Sequence, residues 1–275
     1  GILLVRVFSG VRVVFAASLA GIIGLVELIG VGPALGNVGA IPFSKSVTFV
    51  LGLLPIFILI GFLAFQAGMT KQLFEAAKAW VGFVPGGLAV ATVFATAGFA
   101  AVSGASTATA AVFSRVAIPE MLKEGYDKKL AAGVVAAGGT LASLIPPSAI
   151  LVIYAIIVEE SVGALLLAGF LPGIFSALVY AGIIIIWAKM NPSLAPASRR
   201  YSLKEKVKSL PGVLPIAIVI SVIISAIYAG WATPTEAGAL GAFVVLIIAL
   251  YKGIKIESLR FALIETAKLV AMIFS

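Results

Sequence analysis

The chain has 275 residues, of which 62% are hydrophobic and 11% charged, with a mean hydropathy of +1.21 and a formal net charge of +8. Soluble domains carry about 25% charged residues, so these values exclude a water-soluble domain and indicate an integral membrane protein. The absence of His and Cys removes imidazole bases, thiol nucleophiles, disulfides and His/Cys metal sites. The positive charge is no nucleic-acid signature, because the basic residues fall in short loops between apolar runs.

Apolar runs of about 20 residues, the length a spanning helix needs, recur along the chain. The alternation expected of a β-barrel is missing, so the expected fold class is an all-α integral membrane protein. Residues 2–8 are apolar and 11–31 form a first span. A Gly/Pro loop, "GPALGNVGAIPF", leads to a second span over 46–67. The stretch 70–83, "TKQLFEAAKAWVGF", is amphipathic and too polar to cross, so it is expected in the membrane interface. Residues 86–122 are one apolar tract, 123–129 a charged turn, and 130–158 a second tract broken by "IPPS". A span over 163–188 precedes a basic loop over 189–208. Spans over 210–229 and 237–251 are joined by "GWATPTEAG", and a last run starts near Leu259. Both ends fall inside apolar runs, which reads as part of a longer protein.

Lys and Arg orient these segments. Lys189, Arg199, Arg200, Lys204, Lys206 and Lys208 place the 189–208 loop in the cytoplasm. Lys252, Lys255 and Arg260 return to that side, as do Lys123, Lys128 and Lys129. The loops bearing Glu159, Glu160 and Glu236 lack Lys and Arg and fall outside. The tract 86–122 is flanked by Lys71 and Lys78 before it and by Lys123, Lys128 and Lys129 after it. A hairpin that enters and returns keeps all of these inside, together with Arg6 and Arg12, and leaves only Lys45 outside. A single crossing inverts the N-terminal third. Length agrees: at roughly 1.5 Å per residue the tract is about 55 Å of helix, against a hydrocarbon core of about 30 Å.

The centre of this tract is "AVSGASTATAA", with Ser103, Gly104, Ser106, Thr107 and Thr109. Non-helical backbone within a membrane needs surrounding protein or a water-filled cavity. A tip at 103–107 offers hydroxyls, carbonyls and the start of a second helix, groups that suit a hard cation or an anion. The competing reading is a continuous helix whose small residues serve close packing. In "GGTLASLIPPSAI", Pro146 and Pro147 interrupt the helix near Leu144–Pro146 and free carbonyls beside Thr140, Ser143 and Ser148; a simple proline kink is the competing reading. Paired broken helices are where secondary transporters hold substrate and coupling ions. Arg115, about 13 Å down the return arm, has two readings, a counter-ion for an anionic substrate or a side chain snorkelling toward the cytoplasm. Glu236 in "TPTEAG" reads as a helix start capped by Thr233 or Thr235. "GVGPALG" has the wrong spacing for a phosphate loop, and "VSGAS" lacks the base an intramembrane serine protease needs.

The stretches "AVSGASTATAAVFSRVAIPEM", "GYDKKLAAGVVAAGGTLASLIPPSAILVIYAI", "GALLLAGFLPGIF" and "WATPTEAGALGAF" resemble, in order, the large membrane subunit (DctM type) of tripartite ATP-independent periplasmic (TRAP) transporters. The resemblance implies a sodium-coupled secondary transporter of elevator type in the bacterial inner membrane, with two inverted repeats. The first covers about 1–190, with hairpin 86–122 and broken helix 130–158, and the second starts at about 210–275. It implies a periplasmic substrate-binding protein that delivers an organic anion such as a C4-dicarboxylate or sialic acid, and a small four-helix membrane subunit. The resemblance implies sodium as the coupling ion, and the expectation is no other cofactor, no nucleic acid and no enzymatic activity. The family's first sodium site maps to Ser103, Gly104, Ala105 and Ser106, with Thr140 and the carbonyls from Ser143 to Pro146. Thr107, Ser148 and Arg115 are the weaker substrate-binding candidates. The likeness ends before a second hairpin, which in the family completes the substrate site. A sodium-coupled carboxylate transporter without a binding protein, and a channel, are the alternatives.

Overall fold

The computed structural model describes residues 13–46, 52–196 and 201–274. All regular structure among them is helical, thirteen α-helices with two short 3-10 turns. The chain divides into two compact units, 1–51 and 52–275. In the first, α1 (Val13–Ile29) and α2 (Val31–Ser46) are separated at Gly30, whose φ is +84°. The expected loop "GPALGNVGAIPF" is therefore a helix. Pro33 lies in its first turn, where backbone N–H groups have no helical acceptor to lose. The apolar run 2–8, Arg6, Arg12, Arg199, Arg200 and the start of the second expected span lie outside the described residues.

The second unit begins with α3 (Leu53–Gln66) and α4 (Met69–Val81). No polar side chain interrupts α3 between Leu53 and Phe65. α4 turns from it by 71° and presses Leu73, Phe74, Ala76 and Ala79 inward while Trp80 stays exposed. The next pair is α5 (Gly87–Ser103) and α6 (Ser106–Lys123). Their contacts reveal the direction of α6. Ser103 and Thr109 hydroxyls are 2.7 Å apart, the Phe99 and Phe113 rings meet edge-on at 5.6 Å, and Thr92 Oγ1 lies 4.0 Å from Met121 Sδ. Each pair is nearly symmetric about residue 106, so α6 doubles back along α5. The Leu88 N–H donates to Tyr126 Oη at the open end.

α7 (Lys128–Thr140), capped by the Asp127 carboxylate, lies across this hairpin. Gly138 abuts Thr96 of α5, and a Cβ built on Gly139 would stand 3.0 Å from Ala110 Cβ of α6. A 3-10 turn (Leu141–Ser143) and a non-helical segment separate α7 from α8 (Ala149–Ile157). α9 (Val162–Met190) passes over that break, and Cβ atoms built on Gly169 and Gly173 would lie 2.5 Å from Leu144 O and 2.6 Å from Ile145 Cγ1.

The remaining helices are α10 (Leu203–Ser209), α11 (Leu214–Tyr228), α12 (Pro234–Tyr251) and α13 (Ile256–Phe274). α10 occupies part of the stretch expected to be a basic loop, because Ser202 and Glu205 form a capping box that starts a helix there. Thr233 and Glu236 form the same device at the head of α12, as "TPTE" predicted. Among the described residues, α9 and α12 are each long and apolar enough to cross a membrane, and up to four spans result if α3–α4 and α10–α11 each count as one bent span.

Candidate functional site

The tip of the α5–α6 hairpin is a single turn. Gly104 closes α5 with φ +57°, its N–H donating to Ala100 O at 2.9 Å. This left-handed conformation favours glycine. Space demands it as well: a Cβ at this position would meet Pro147 O at 2.7 Å and Phe57 Cγ at 3.1 Å. Ala105 is extended and Ser106 begins α6. The Ser103 and Thr109 side chains are fully buried and satisfy one another across the turn.

The break after α7 comes to this same point. Pro146 and Pro147 have no N–H, so the carbonyls four residues earlier, Ala142 and Ser143, lose their helical donors. Ser143 O accepts instead from Ser148 Oγ at 3.0 Å. Ser148 is buried and also caps α8, accepting the Leu151 N–H. The Ala149 N–H donates to Gly104 O at 3.0 Å. One backbone hydrogen bond thus joins the hairpin tip to the restart of the broken helix. The underside is apolar: Phe57 and Gly61 of α3 face Gly104 and Ser103, with a Cβ on Gly61 placed 3.2 Å from Ser103 Cβ.

The sequence candidates divide around this junction. Ser103, Gly104, Ala105, Ser143, Pro146 and Ser148 cluster at or beside it. Ser106 is half-buried at the start of α6, its carbonyl 3.3 Å from where a Gly139 Cβ would stand, and Thr107 is exposed. Thr140 faces outward, donating to Ala137 O at 2.7 Å and bonding Tyr180 Oη at 3.2 Å. Ala137 and Tyr180 also line a largely apolar cavity of about 580 Å³ between α7 and α9. Arg115 is not at the tip. It pairs with Glu265 of α13 at 3.3 Å, with its guanidinium 5.4 Å from the Phe261 ring centroid. Its surroundings are those of a pocket of about 360 Å³ shared with Lys71, Glu75, Glu120 and Lys123. Nearby, Lys78 bridges α4 to α6 through Glu120 at 3.3 Å and Glu124 at 3.8 Å.

Sequence reasoning missed Phe57. It is fully buried, and its ring lies between Gly104 and Gly238 of α12, 3.1 Å and 3.7 Å from the Cβ positions of those glycines. An aromatic residue inside an apolar span has no signal that sets it apart.

The junction offers a ligand uncharged oxygen: hydroxyls at Ser106 and Thr107, and carbonyls released at the end of α5 and before the prolines. Among the described residues no three Asp or Glu side chains come together. Calcium sites draw on carboxylates and transition metals on softer ligands, so this donor set fits a hard monovalent cation better than either.

A family model described as the tripartite ATP-independent periplasmic transporter, DctM component, matches residues 1–275. The chain is 38% identical over 233 residues to the C4-dicarboxylate TRAP transporter large permease protein DctM of Pseudomonas aeruginosa, covering 84% of this chain and 54% of that protein. It is 33% identical over 229 residues to the sialic acid TRAP transporter large permease protein SiaM of Vibrio cholerae, covering 82% and 53%. The isethionate TRAP transporter permease protein DctMQ of Oleidesulfovibrio alaskensis is 32% identical over 229 residues, covering 83% and 36%. These relatives are named as permeases, not enzymes. The chain spans about half the length of the large permeases it matches.

Proposed function

Because the chain belongs to the DctM component family of tripartite ATP-independent periplasmic transporters, we propose that it forms part of the permease of a sodium-coupled importer of a small organic anion. The cargo class is a carboxylate such as a C4-dicarboxylate or sialic acid, the substrates named for its relatives. In this reading a periplasmic binding protein hands the anion to the permease in the bacterial inner membrane, and a small four-helix membrane subunit accompanies it. The α5–α6 hairpin is re-entrant from the cytoplasmic side, and it moves with α7–α9 as an elevator against α3.

The observation that carries this reading is the junction of tip and break through Gly104 O and the Ala149 N–H. Two interrupted elements meeting at one point is the arrangement by which secondary transporters hold coupling ions. Ser103, Gly104, Ala105 and Ser106, with the carbonyls of Ser143 to Pro146, are the residues that would hold sodium, while Thr140, turned outward to Tyr180, would not reach it. Their oxygens are neutral, so a sodium ion held there would bring a net positive charge that favours an incoming anion. Thr107, exposed beside the tip, and the N-terminal amides of α6 are the adjacent groups able to meet a carboxylate.

The test is uptake by the full-length permease with its partner proteins in proteoliposomes. Ser103→Ala with Ser106→Ala is expected to raise the sodium concentration for half-maximal uptake several-fold. An unchanged sodium dependence in a variant that still transports overturns the assignment.

A further inference from the structure

α10 has an exposed face unsuited to a loop in water. Leu203 and Val207 of α10, Leu210 in the 3-10 turn that follows it and Leu214 at the start of α11 are 79%, 60%, 47% and 58% exposed. Within α10 the spacing of four residues puts Leu203 and Val207 on one stripe, and Leu210, three residues on, continues it into the 3-10 turn. At 100° per residue, Lys204 and Lys208 flank that stripe on one side and Lys206 on the other. Glu205 points away from it and is held by the Ser202 N–H at 2.7 Å.

The exposed row reaches α11 only at Leu214, its first residue. The segment Leu203–Gly212 bends by 48° from α11, as α4 bends by 71° from α3. The two bent-out pieces touch. Trp80 Nε1–H donates to Lys206 O at 3.2 Å, and Lys206 Nζ sits 5.0 Å from the Phe83 ring centroid. A Cβ on Gly212 would lie 3.1 Å from Gln72 Cβ. Trp80 and Phe83, 43% and 52% exposed, extend the apolar stripe. The result is one surface: two aromatics and an aliphatic row, rimmed by three lysines.

We propose that α4 and α10 together form a docking surface for anionic phospholipid headgroups of the cytoplasmic leaflet. The apolar row enters the acyl boundary, as in interfacial helices with lysine-rich flanks. The lysine stems lie along it and raise their ammonium groups to phosphate depth. Trp80 takes the interfacial position that tryptophan favours. Each lysine near an anionic surface strengthens partitioning about five-fold. A protein partner fits this chemistry less well, because lysine is depleted in protein–protein interfaces.

The test uses the full-length permease with Trp80 as its sole tryptophan, in nanodiscs of phosphatidylcholine. Brominated phosphatidylglycerol and brominated phosphatidylcholine are compared as quenchers at the same mole fraction. The phosphatidylglycerol is expected to quench at least two-fold more, and a molar concentration of potassium chloride to remove the difference, since the Debye length then falls to about 3 Å. Lys204→Gln with Lys206→Gln and Lys208→Gln is expected to equalise the two lipids, whereas the corresponding triple Arg variant keeps the preference. Equal quenching in the parent protein, or a preference that survives the Gln variant, overturns the proposal. So does the absence of quenching by either lipid, which would mean that protein covers the surface.

Discussion

Replacing Gly104 by Ala tests the junction at its tightest point. The new Cβ would sit 2.7 Å from Pro147 O and 3.1 Å from Phe57 Cγ, on a residue with φ +57°. An alanine in the left-handed region costs about 1–2 kcal/mol. Forcing a methyl into a filled site adds about 1–3 kcal/mol, and neither neighbour can easily yield, because one is backbone and the other a fully buried ring. Together these give about 2–5 kcal/mol, or a fall in Tm of roughly 4–20 °C at 2–4 °C per kcal/mol. The assay is thermal unfolding of the purified permease in detergent. Gly133→Ala is the control, because a Cβ there meets nothing within 4 Å and a helix-interior Gly gains about 0.5–1 kcal/mol on becoming Ala. A Gly104→Ala protein that melts within about 1 °C of the parent refutes the close approach of tip and break. Equal losses at both glycines would refute its specificity.

Thr233→Ala removes the hydroxyl that accepts the Glu236 N–H in the capping box of α12; a loss of about 1 kcal/mol in unfolding free energy is expected, with the sodium dependence of uptake unchanged. Lys252, just past α12, donates to Gln72 Oε1 at 2.6 Å, and burial lowers its pKa below the ordinary 10.5. Between the lowered value and 10.5 the unfolded chain binds more proton than the folded one, so this lysine makes stability rise with pH across that window; the melting curves of Lys252→Gln should lack that component.

The parts of this site that were legible in the sequence are those with a chemical signature. A Gly among hydroxyl residues in an apolar tract marks Gly104, adjacent prolines mark the break, and lysine placement implies that the tract doubles back. The pairs Ser103–Thr109, Phe99–Phe113 and Thr92–Met121 show the two helices doing so. Other parts depended on distant residues of ordinary character. Arg115 has two sequence readings because its partner, Glu265, is 150 positions away. Ser148 reads as a ligand, but the missing proline N–H groups leave Ser143 O in need of its hydroxyl. α2 reads as a loop because glycine and proline punctuate it, and α10 because its three lysines outnumber its two apolar residues, Leu203 and Val207.

The distribution of polar contacts bears on how the elements can move. Everything that ties the hairpin to α7, α8 and α9 is close or directional: the Gly104–Ala149 hydrogen bond, Gly138 and Gly139 set against α5 and α6, and Gly169 and Gly173 against the break. Shifting the hairpin without these partners would break a backbone bond and open voids. Toward α3 the hairpin meets only apolar side chains, Phe57 foremost, because α3 has no polar side chain from Leu53 to Phe65. Van der Waals contact has no fixed bonding partner, so sliding along α3 exchanges one set of contacts for another. The directional tie from α6 to α13, Arg115 to Glu265, has an arginine side chain 47% exposed, and exposed pairs contribute about 0–1 kcal/mol. Lys78 is the stronger restraint, with its side chain 11% exposed between two carboxylates of the α6 end. If the hairpin moves as proposed, it would therefore either carry α4 with it or break this bridge, and Lys78, rather than the apolar seam, would be the place where the movement meets resistance.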